Sequence, residues 1–188
     1  IWNNVFMQCM HHEDGSFTNL PKQNVDTGMG LERLLCFVNG YQTVYESEIF
    51  APAIKIVADD CQKSYVDNLK AFRVLVEHTR AATMILSDGV LPSPTGQGYV
   101  LRRLIRRAVR MANQLQCSRD VYGKIIQFYR EFFHGIYQID ENVTKNYLDE
   151  VDKFSKTIEQ GIREFNKILP FLKDKVLSGK TAFRLYET

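Results

Sequence analysis

No run of about eighteen consecutive apolar residues occurs in this 188-residue chain, so no membrane-spanning helix is expected. No leader of basic and then apolar residues opens it. Cysteine is scarce and scattered, at Cys9, Cys36, Cys61 and Cys117, with no Cys-x-x-Cys pair. That spacing excludes a disulfide-stapled scaffold, and reduced thiols of an intracellular protein are the simplest reading. The run "CMHH" (Cys9 to His12) offers metal-ligating types. Neighbouring histidines on an extended segment point to opposite sides, and no second ligand pair follows, so no metal site is expected. Gly179, Lys180 and Thr181 look like the end of a P-loop, yet the earlier glycine would fall at position 174, which is Asp174. The chain can bury a core as one large domain or two small ones. It begins at Ile1 within a strand-like run and ends at Thr188 within a helical pattern. It is therefore expected to be a piece of a longer protein, for which a missing targeting signal says little.

The net charge of +2 is unevenly placed. Residues 1–64 hold four Lys/Arg against eight Asp/Glu, a balance of −4, whereas residues 65–188 hold twenty against fourteen, a balance of +6. An anionic partner for the second part is implied. Secondary structure divides at nearly the same place. "IWNNVFMQCM" is apolar without helical period and predicts a buried strand. "HHEDGSFTNLPKQ" predicts a loop, and "NVDTG" a second short strand antiparallel to the first. Helices are expected from Leu31 to about Val38, closed by Asn39-Gly40, and from about Ser47 to Cys61. Long helices follow: one from an Asp67 or Asn68 cap to Gly89, one from Tyr99 to about Leu115 after the loop "LPSPTGQG", and one from Asp120 through "VYGKIIQFYREFFHGIY". Another runs from about Asn142 to Leu169, and a last one starts near Ser178. In the long run, Tyr147, Val151, Phe154, Ile158, Ile162, Phe165 and Leu169 form one stripe, expected to be core. His78, within a helix, reads as structural rather than as a base. The fold class is thus mainly α with a small antiparallel β remnant (α+β), divided near residues 62–67.

"VDTGMGLERLL" (Val25 to Leu35) carries the sharpest chemical question. Gly28 and Gly30 can simply permit a tight strand-to-helix turn. A dinucleotide-binding fingerprint is excluded, because Arg33 stands at the third glycine and no βαβ unit surrounds it. A third reading takes the residues as they are. Small residues let a flat ligand lie against the backbone, and an arginine one turn into the helix reaches back toward that face. Its planar fork suits a nucleotide phosphate or a purine ring. Asp26 beside it suits a second substrate bearing an ammonium group.

"DTGMGLERLL" resembles the third signature motif of the class II aminoacyl-tRNA synthetases, a glycine-rich strand entering a helix whose arginine holds ATP. "IWNNVFMQ", "RVLVEHTRA", "GYVLRRLIRRAVR" and "GKTAFRLYET" accompany it in the order and approximate spacing of the alanyl branch of that class, over essentially the whole chain. The resemblance implies that residues 1–64 are the C-terminal part of a class II aminoacylation domain. It implies that residues 65–188 are the helical tRNA-recognition domain that follows. It implies activation of alanine with ATP and transfer to tRNA(Ala), in the cytoplasm or an organelle, with Mg2+ accompanying ATP through ligands not placed in this segment. Carried onto these positions, Asp26 holds the alanine ammonium, and the Asn3 amide contacts the amino acid. Gly28 floors a small pocket, Gly30 joins it in binding substrate, and Arg33 is the catalytic residue, stabilising ATP and the transition state of adenylate formation. The first two signature motifs of the class do not occur in these 188 residues, so the chain alone is expected not to activate alanine.

"YVLRRLIRRAVRMANQL" is the strongest signal in the second part. Leu101, Leu104, Ile105, Ala108, Val109, Ala112 and Leu115 make one apolar face. Arg102, Arg103, Arg106, Arg107 and Arg110 take the other, and no Asp or Glu lies between Asp88 and Asp120 to relieve them locally. Nucleic-acid phosphates, here the tRNA acceptor stem, are the implied partner; a solvated face and a membrane-surface helix are the weaker readings. The family reads a G·U pair through an Asn in the loop before this helix and an Asp near this chain's end. Here Pro94 and Glu187 stand at those places. Thr95 or Gln97 could substitute, or the cognate tRNA could lack the pair. The rival class is a non-catalytic helical RNA-binding module derived from such an enzyme.

Overall fold

The structure, a computed structural model, describes residues 2–172 and 176–187, the last two by backbone alone. It divides into two compact units, Ile1–Pro52 and Ala53–Thr188. The helix Ala51–Cys61 is grouped mainly with the second unit, where Ala53, Ile54 and Val57 are buried.

In the first unit β1 (Asn3–His11) and β2 (Phe17–Gly28) form an antiparallel ribbon, with Asn3 opposite Gly28, Val5 opposite Asp26 and His11 opposite Phe17. The expected loop over residues 11–23 is far shorter. Asp14 accepts from the Ser16 amide at 2.9 Å and its hydroxyl at 2.6 Å, and Gly15 takes φ +82°. This turn chemistry reverses the chain within His12–Ser16, and the polar residues beyond it alternate along an exposed strand. β1 is not the buried strand its composition implied: Phe6 is 70% exposed and Val5 51%. A two-stranded ribbon covers neither of its own faces, so its apolar side chains stay open. α1 (Leu31–Val38) ends where Asn39-Gly40 predicted. The Gly40 amide donates to Phe37 O, the Tyr41 amide donates to Cys36 O, and Gly40 takes φ +67°.

The second unit is helical: α2 (Ala51–Cys61), α3 (Leu69–Ser87), α4 (Gly96–Leu115), α5 (Asp120–Phe132), α6 (Asn142–Ile168) and α7 (Gly179–Glu187). α3 and α4 make the main packing pair, and α6 lies against α3, α4 and α5. Phe72, Leu75, Val76, Leu101, Ile105, Val109, Ile125 and Tyr129 are the inner layer. A hydrogen bond between Thr79 Oγ1 and Tyr147 OH, at 3.0 Å, crosses it. α5 stops at Phe132 rather than Tyr137, where Gly135 takes φ +85°. The α6 stripe is core only in its first half. Tyr147 and Val151 are buried, but Ile162, Phe165 and Leu169 are 53%, 39% and 45% exposed. Length explains this: at 27 residues α6 outruns the 19- and 20-residue helices beneath it.

α4 begins at Gly96, three residues before the predicted start. The preceding loop folds back onto its first turn. The Ser93 amide donates to Gly98 O at 3.1 Å, and the Ser93 hydroxyl donates to Thr95 O at 2.7 Å. These bonds nucleate a turn that two glycines would otherwise disfavour. Gly98 is required by space: a Cβ there would collide with the Leu91 carbonyl and the Ser93 side chain. Gly98→Ala is therefore expected to destabilise the chain by about 1–3 kcal/mol, the usual scale of overpacking. Gly161 in α6 faces open space, and Gly161→Ala is expected to be neutral or to stabilise by roughly 0.5–1 kcal/mol. Urea unfolding of the two variants checks both signs. A Gly98→Ala chain of undiminished stability would contradict the tight loop contact.

Candidate functional site

In the first unit the strand register collects three of the candidate residues. Opposed residues of an antiparallel pair share a face, so Asn3, Val5, Asp26 and Gly28 lie on one side of the ribbon. The other side is pinned by Thr27, whose hydroxyl donates to Asn4 Oδ1 at 2.8 Å. A Cβ on Gly28 would meet nothing within 4 Å, so the floor beside Asp26 is open. Gly30 caps α1 in an extended conformation (φ −70°, ψ 122°), and Arg33 folds back over it. A Cβ on Gly30 would stand 3.6 Å from Arg33 Cγ and Cδ. The Arg33 stem therefore lies against the Gly30 turn, as side-chain direction in a first helical turn favours. The register thus brings the Asp26 carboxylate and the Asn3 amide to one ribbon face, two strand positions from the turn that leads to Arg33. Among the described residues no group of three His, Cys, Asp or Glu side chains converges. His11 instead stacks on Phe17 at 4.8 Å, and His12 Nε2 meets the Thr18 hydroxyl at 2.8 Å.

In the second unit the apolar face of α4 is packed at Leu101, Ile105, Ala108, Val109, Ala112 and Leu115, each at most 1% exposed, while Leu104, expected on the same face, is only half-buried. The five arginines are driven onto the other side. There Tyr99, Arg102, Arg103, Arg106, Arg107, Arg110 and Phe154 line a groove of about 380 Å³. The arginines are not equivalent. Arg106 Nε donates to Glu150 Oε1 at 2.8 Å, and its guanidinium lies 4.9 Å from the Phe154 ring centroid. The Glu150 side chain is only 6% exposed, against 34% for Arg106. Arg102 covers the Tyr99 ring at 5.8 Å, while Arg103, Arg107 and Arg110 are exposed. Arg107 and Arg110 also border a smaller groove of about 150 Å³ with Lys70 of α3. His78, half-buried on α3, is held below the ordinary imidazole range by burial first and then by Arg107, so it stays neutral near pH 7.

The loop residues Pro94, Thr95 and Gln97 are all exposed, and Thr95, the N-cap of α4, spends its hydroxyl on no cap bond. Gln97 borders a groove of about 460 Å³ with Ile85, Asp88, Val90 and Val100. Glu187 belongs to α7 by backbone; its side chain lies outside the described residues. Sequence reasoning missed Glu150 and Phe154. Their four-residue spacing placed them on one helix face, but no local signal joined that face to α4. It also missed a groove of about 650 Å³, where Lys167, Lys180 and Arg184 stand with Ile168, Phe171 and Phe183.

The protein family described as "tRNA synthetases class II (A)" matches residues 1–188. The alanine–tRNA ligase of Borreliella afzelii (strain PKo) is 41% identical over 197 residues, covering 100% of this chain and 33% of that protein. That of Francisella tularensis subsp. novicida (strain U112) is 40% identical over 192 residues, covering 100% and 22%. That of Bacillus pumilus (strain SAFR-032) is 35% identical over 198 residues, covering 100% and 23%. The chain therefore spans a third or less of the length of these curated relatives.

The inequality among the arginines has a consequence for stability. Arg106→Ala leaves a buried carboxylate without its cation and strips Phe154 of its cover. The cost of breaking a buried pair, reduced because Arg106 is a third exposed, is expected to be about 2 kcal/mol. Arg103→Ala is expected to lie within about 0.5 kcal/mol of the parent chain. Equal unfolding midpoints for the two variants in urea would remove the Glu150 tie from the account.

Proposed function

The chain belongs to the class II (A) tRNA synthetase family, and on that premise we propose that it is a segment of an alanine–tRNA ligase that completes the adenylate pocket and docks the acceptor stem of tRNA(Ala). The proposal assigns residues 1–64 to the end of the aminoacylation domain and residues 65–188 to the helical tRNA-recognition domain. The whole protein would join the alanine carboxylate to the α-phosphate of ATP, releasing pyrophosphate, and then pass the alanyl group to the terminal ribose of the tRNA. It would do so in the cytoplasm or an organelle. No helix among the described residues is long and apolar enough to cross a membrane.

Asp26 would hold the alanine ammonium by a charge-assisted hydrogen bond, and the Asn3 amide would orient the same amino acid. Their common ribbon face and the open floor at Gly28 support this reading. Gly30 and the folded-back Arg33 would bring a fixed positive charge to the phosphates, where negative charge grows as the adenylate forms. Mg2+ would travel with ATP, and no step here depends on a ligand from this chain. For the RNA, one observation carries the proposal: the packed apolar face of α4 leaves its arginines on one groove wall. Arg102, Arg103, Arg107 and Arg110 would meet phosphates. Arg106, clamped by Glu150 and Phe154, would present a fixed guanidinium edge to the same groove. Phosphate contacts set position and leave base identity to the 91–98 loop. There the Thr95 hydroxyl and Gln97 amide would act in place of Pro94, which offers no side-chain hydrogen bond, together with Glu187 at the end of α7.

Two measurements test the two halves. Binding to an acceptor-stem RNA should weaken with salt, and Arg103→Ala with Arg107→Ala should reduce the log–log salt slope by roughly 2, one for each phosphate contact removed. An unchanged slope in the double variant sinks the assigned RNA face. The isolated chain should give no alanine-dependent ATP–pyrophosphate exchange, because Arg33 supplies only one side of the charge clamp on the reacting phosphate. Robust exchange would mean that the clamp is complete within these 188 residues.

A further inference from the structure

Cys61 and Cys117, far apart in sequence, are neighbours close enough for Cys61 to help raise the Cys117 thiol. Cys61 is the last residue of α2, and Cys117 follows Gln116, whose left-handed backbone (φ 62°) ends α4. The residues flanking the pair are bound to one another on both sides. Asp60 accepts from the Ser118 amide and hydroxyl, each at 2.7 Å, and from Lys124 Nζ at 2.9 Å. Lys63 Nζ donates to Gln114 O at 3.2 Å. Segments 60–63 and 114–118 therefore run beside each other with their ends fixed. Closing a disulfide requires backbones within about 7 Å and thiols that face each other. The Asp60 clamp on Ser118 holds together the backbones that carry the two cysteines. Both residues are of intermediate burial, neither one sealed within the core. The other cysteines lie in the first unit and have different neighbours: Cys9 donates to Asn19, and Cys36 to Tyr41 O.

We propose that Cys61 and Cys117 form a reversible oxidation site, closing an intramolecular disulfide when the chain meets a low-molecular-weight disulfide and stapling the end of α2 to the corner between α4 and α5. The Cys61 thiolate attacks one sulfur of the small disulfide, breaks its S–S bond and expels one thiolate. Cys117 then loses its proton to solvent and attacks Cys61 Sγ in the mixed disulfide, expelling the second small thiolate. Two protein thiols give up two electrons and two protons, and the small disulfide becomes two thiols. The order of attack follows from the surroundings. Burial, and then the neighbouring Cys61, push the Cys117 thiol up to about 12, so it is the poorer first nucleophile. Capping Cys61 removes the lesser of these causes while burial remains, so closure by Cys117 is the slower step. The closed bond constrains the unfolded chain between the two residues and so favours the folded one.

The 188-residue chain, incubated with oxidised glutathione and then alkylated in denaturant, is expected to lose two of its four reactive thiols. Mass spectrometry should find the peptides bearing residues 61 and 117 cross-linked, the oxidised chain should unfold at a higher temperature, and excess reduced glutathione should reverse both effects. Cys117→Ser should instead retain one glutathione on Cys61, and Cys61→Ser should take up far less. A fully reduced chain after incubation overturns the proposal, as do a stable mixed disulfide without closure and a cross-link through Cys9 or Cys36. Should either serine variant fail to fold, the peptide map of the unsubstituted chain still decides.

Discussion

The packing of α4 against α3 is the constraint on which the helical unit depends. An apolar face repeating every three to four residues must be covered, and α3 offers Phe72, Leu75, Val76 and Ala82 to cover it. Once that face is buried, the arginines have one side left to occupy. Five like charges on one face raise its potential whether or not a partner is present. The interior therefore creates the cationic surface, and the geometry of that surface is inherited from the core. The same packing places α6 where Glu150 can enter the arginine row and neutralise one member of it. What results is one guanidinium tied to a carboxylate beside three exposed ones, Arg103, Arg107 and Arg110.

The two units solve different physical problems. The ribbon of the first has little core, and its order comes from local chemistry: the Asp14–Ser16 turn, the Thr27–Asn4 bond and the glycine-rich cap of α1. Such a ribbon is marginal by itself, yet it displays Asn3, Asp26 and Gly28 in a fixed register. The second unit has a largely apolar interior crossed by the Thr79–Tyr147 bond, and it adds side-chain ties between its elements. Asp60 illustrates the difference. Burial opposes its ionisation, but hydrogen bonds from Lys124 and Ser118 outweigh that, and its carboxyl is held below the ordinary range. The contact that ties α2 to the α4–α5 corner therefore weakens on acidification.

Much of the fold was legible because its signals are local. The α1 stop at Asn39-Gly40, the long helices, the arginine face and the passage from glycine strand to arginine helix all depend on residues within a few positions of one another. The failures are equally specific. β1 read as buried because apolar composition reports what a strand could cover, whereas burial depends on a second layer that this unit does not place on it. The 91–98 loop read as extending to Gly98 because glycine opposes helix. The Ser93 bonds to the first turn of α4 overrule that preference. The far end of the α6 stripe read as core, because periodicity measures amphipathicity and is blind to how long the neighbouring helices are.

The amino-acid order by itself determined the helical periods, the side of α4 that carries charge and the kinship of the third signature motif. These follow from spacing along one chain, where bonded geometry fixes which residues share a face. Only the tertiary structure decided that Arg106 belongs to Glu150 and Phe154, that Gly98 lies against the Leu91 carbonyl and that Cys61 meets Cys117. Each of these pairs joins positions whose approach is set by how whole elements pack. Packing is decided by the volumes and shapes of many side chains at once, a quantity that no short stretch of sequence contains.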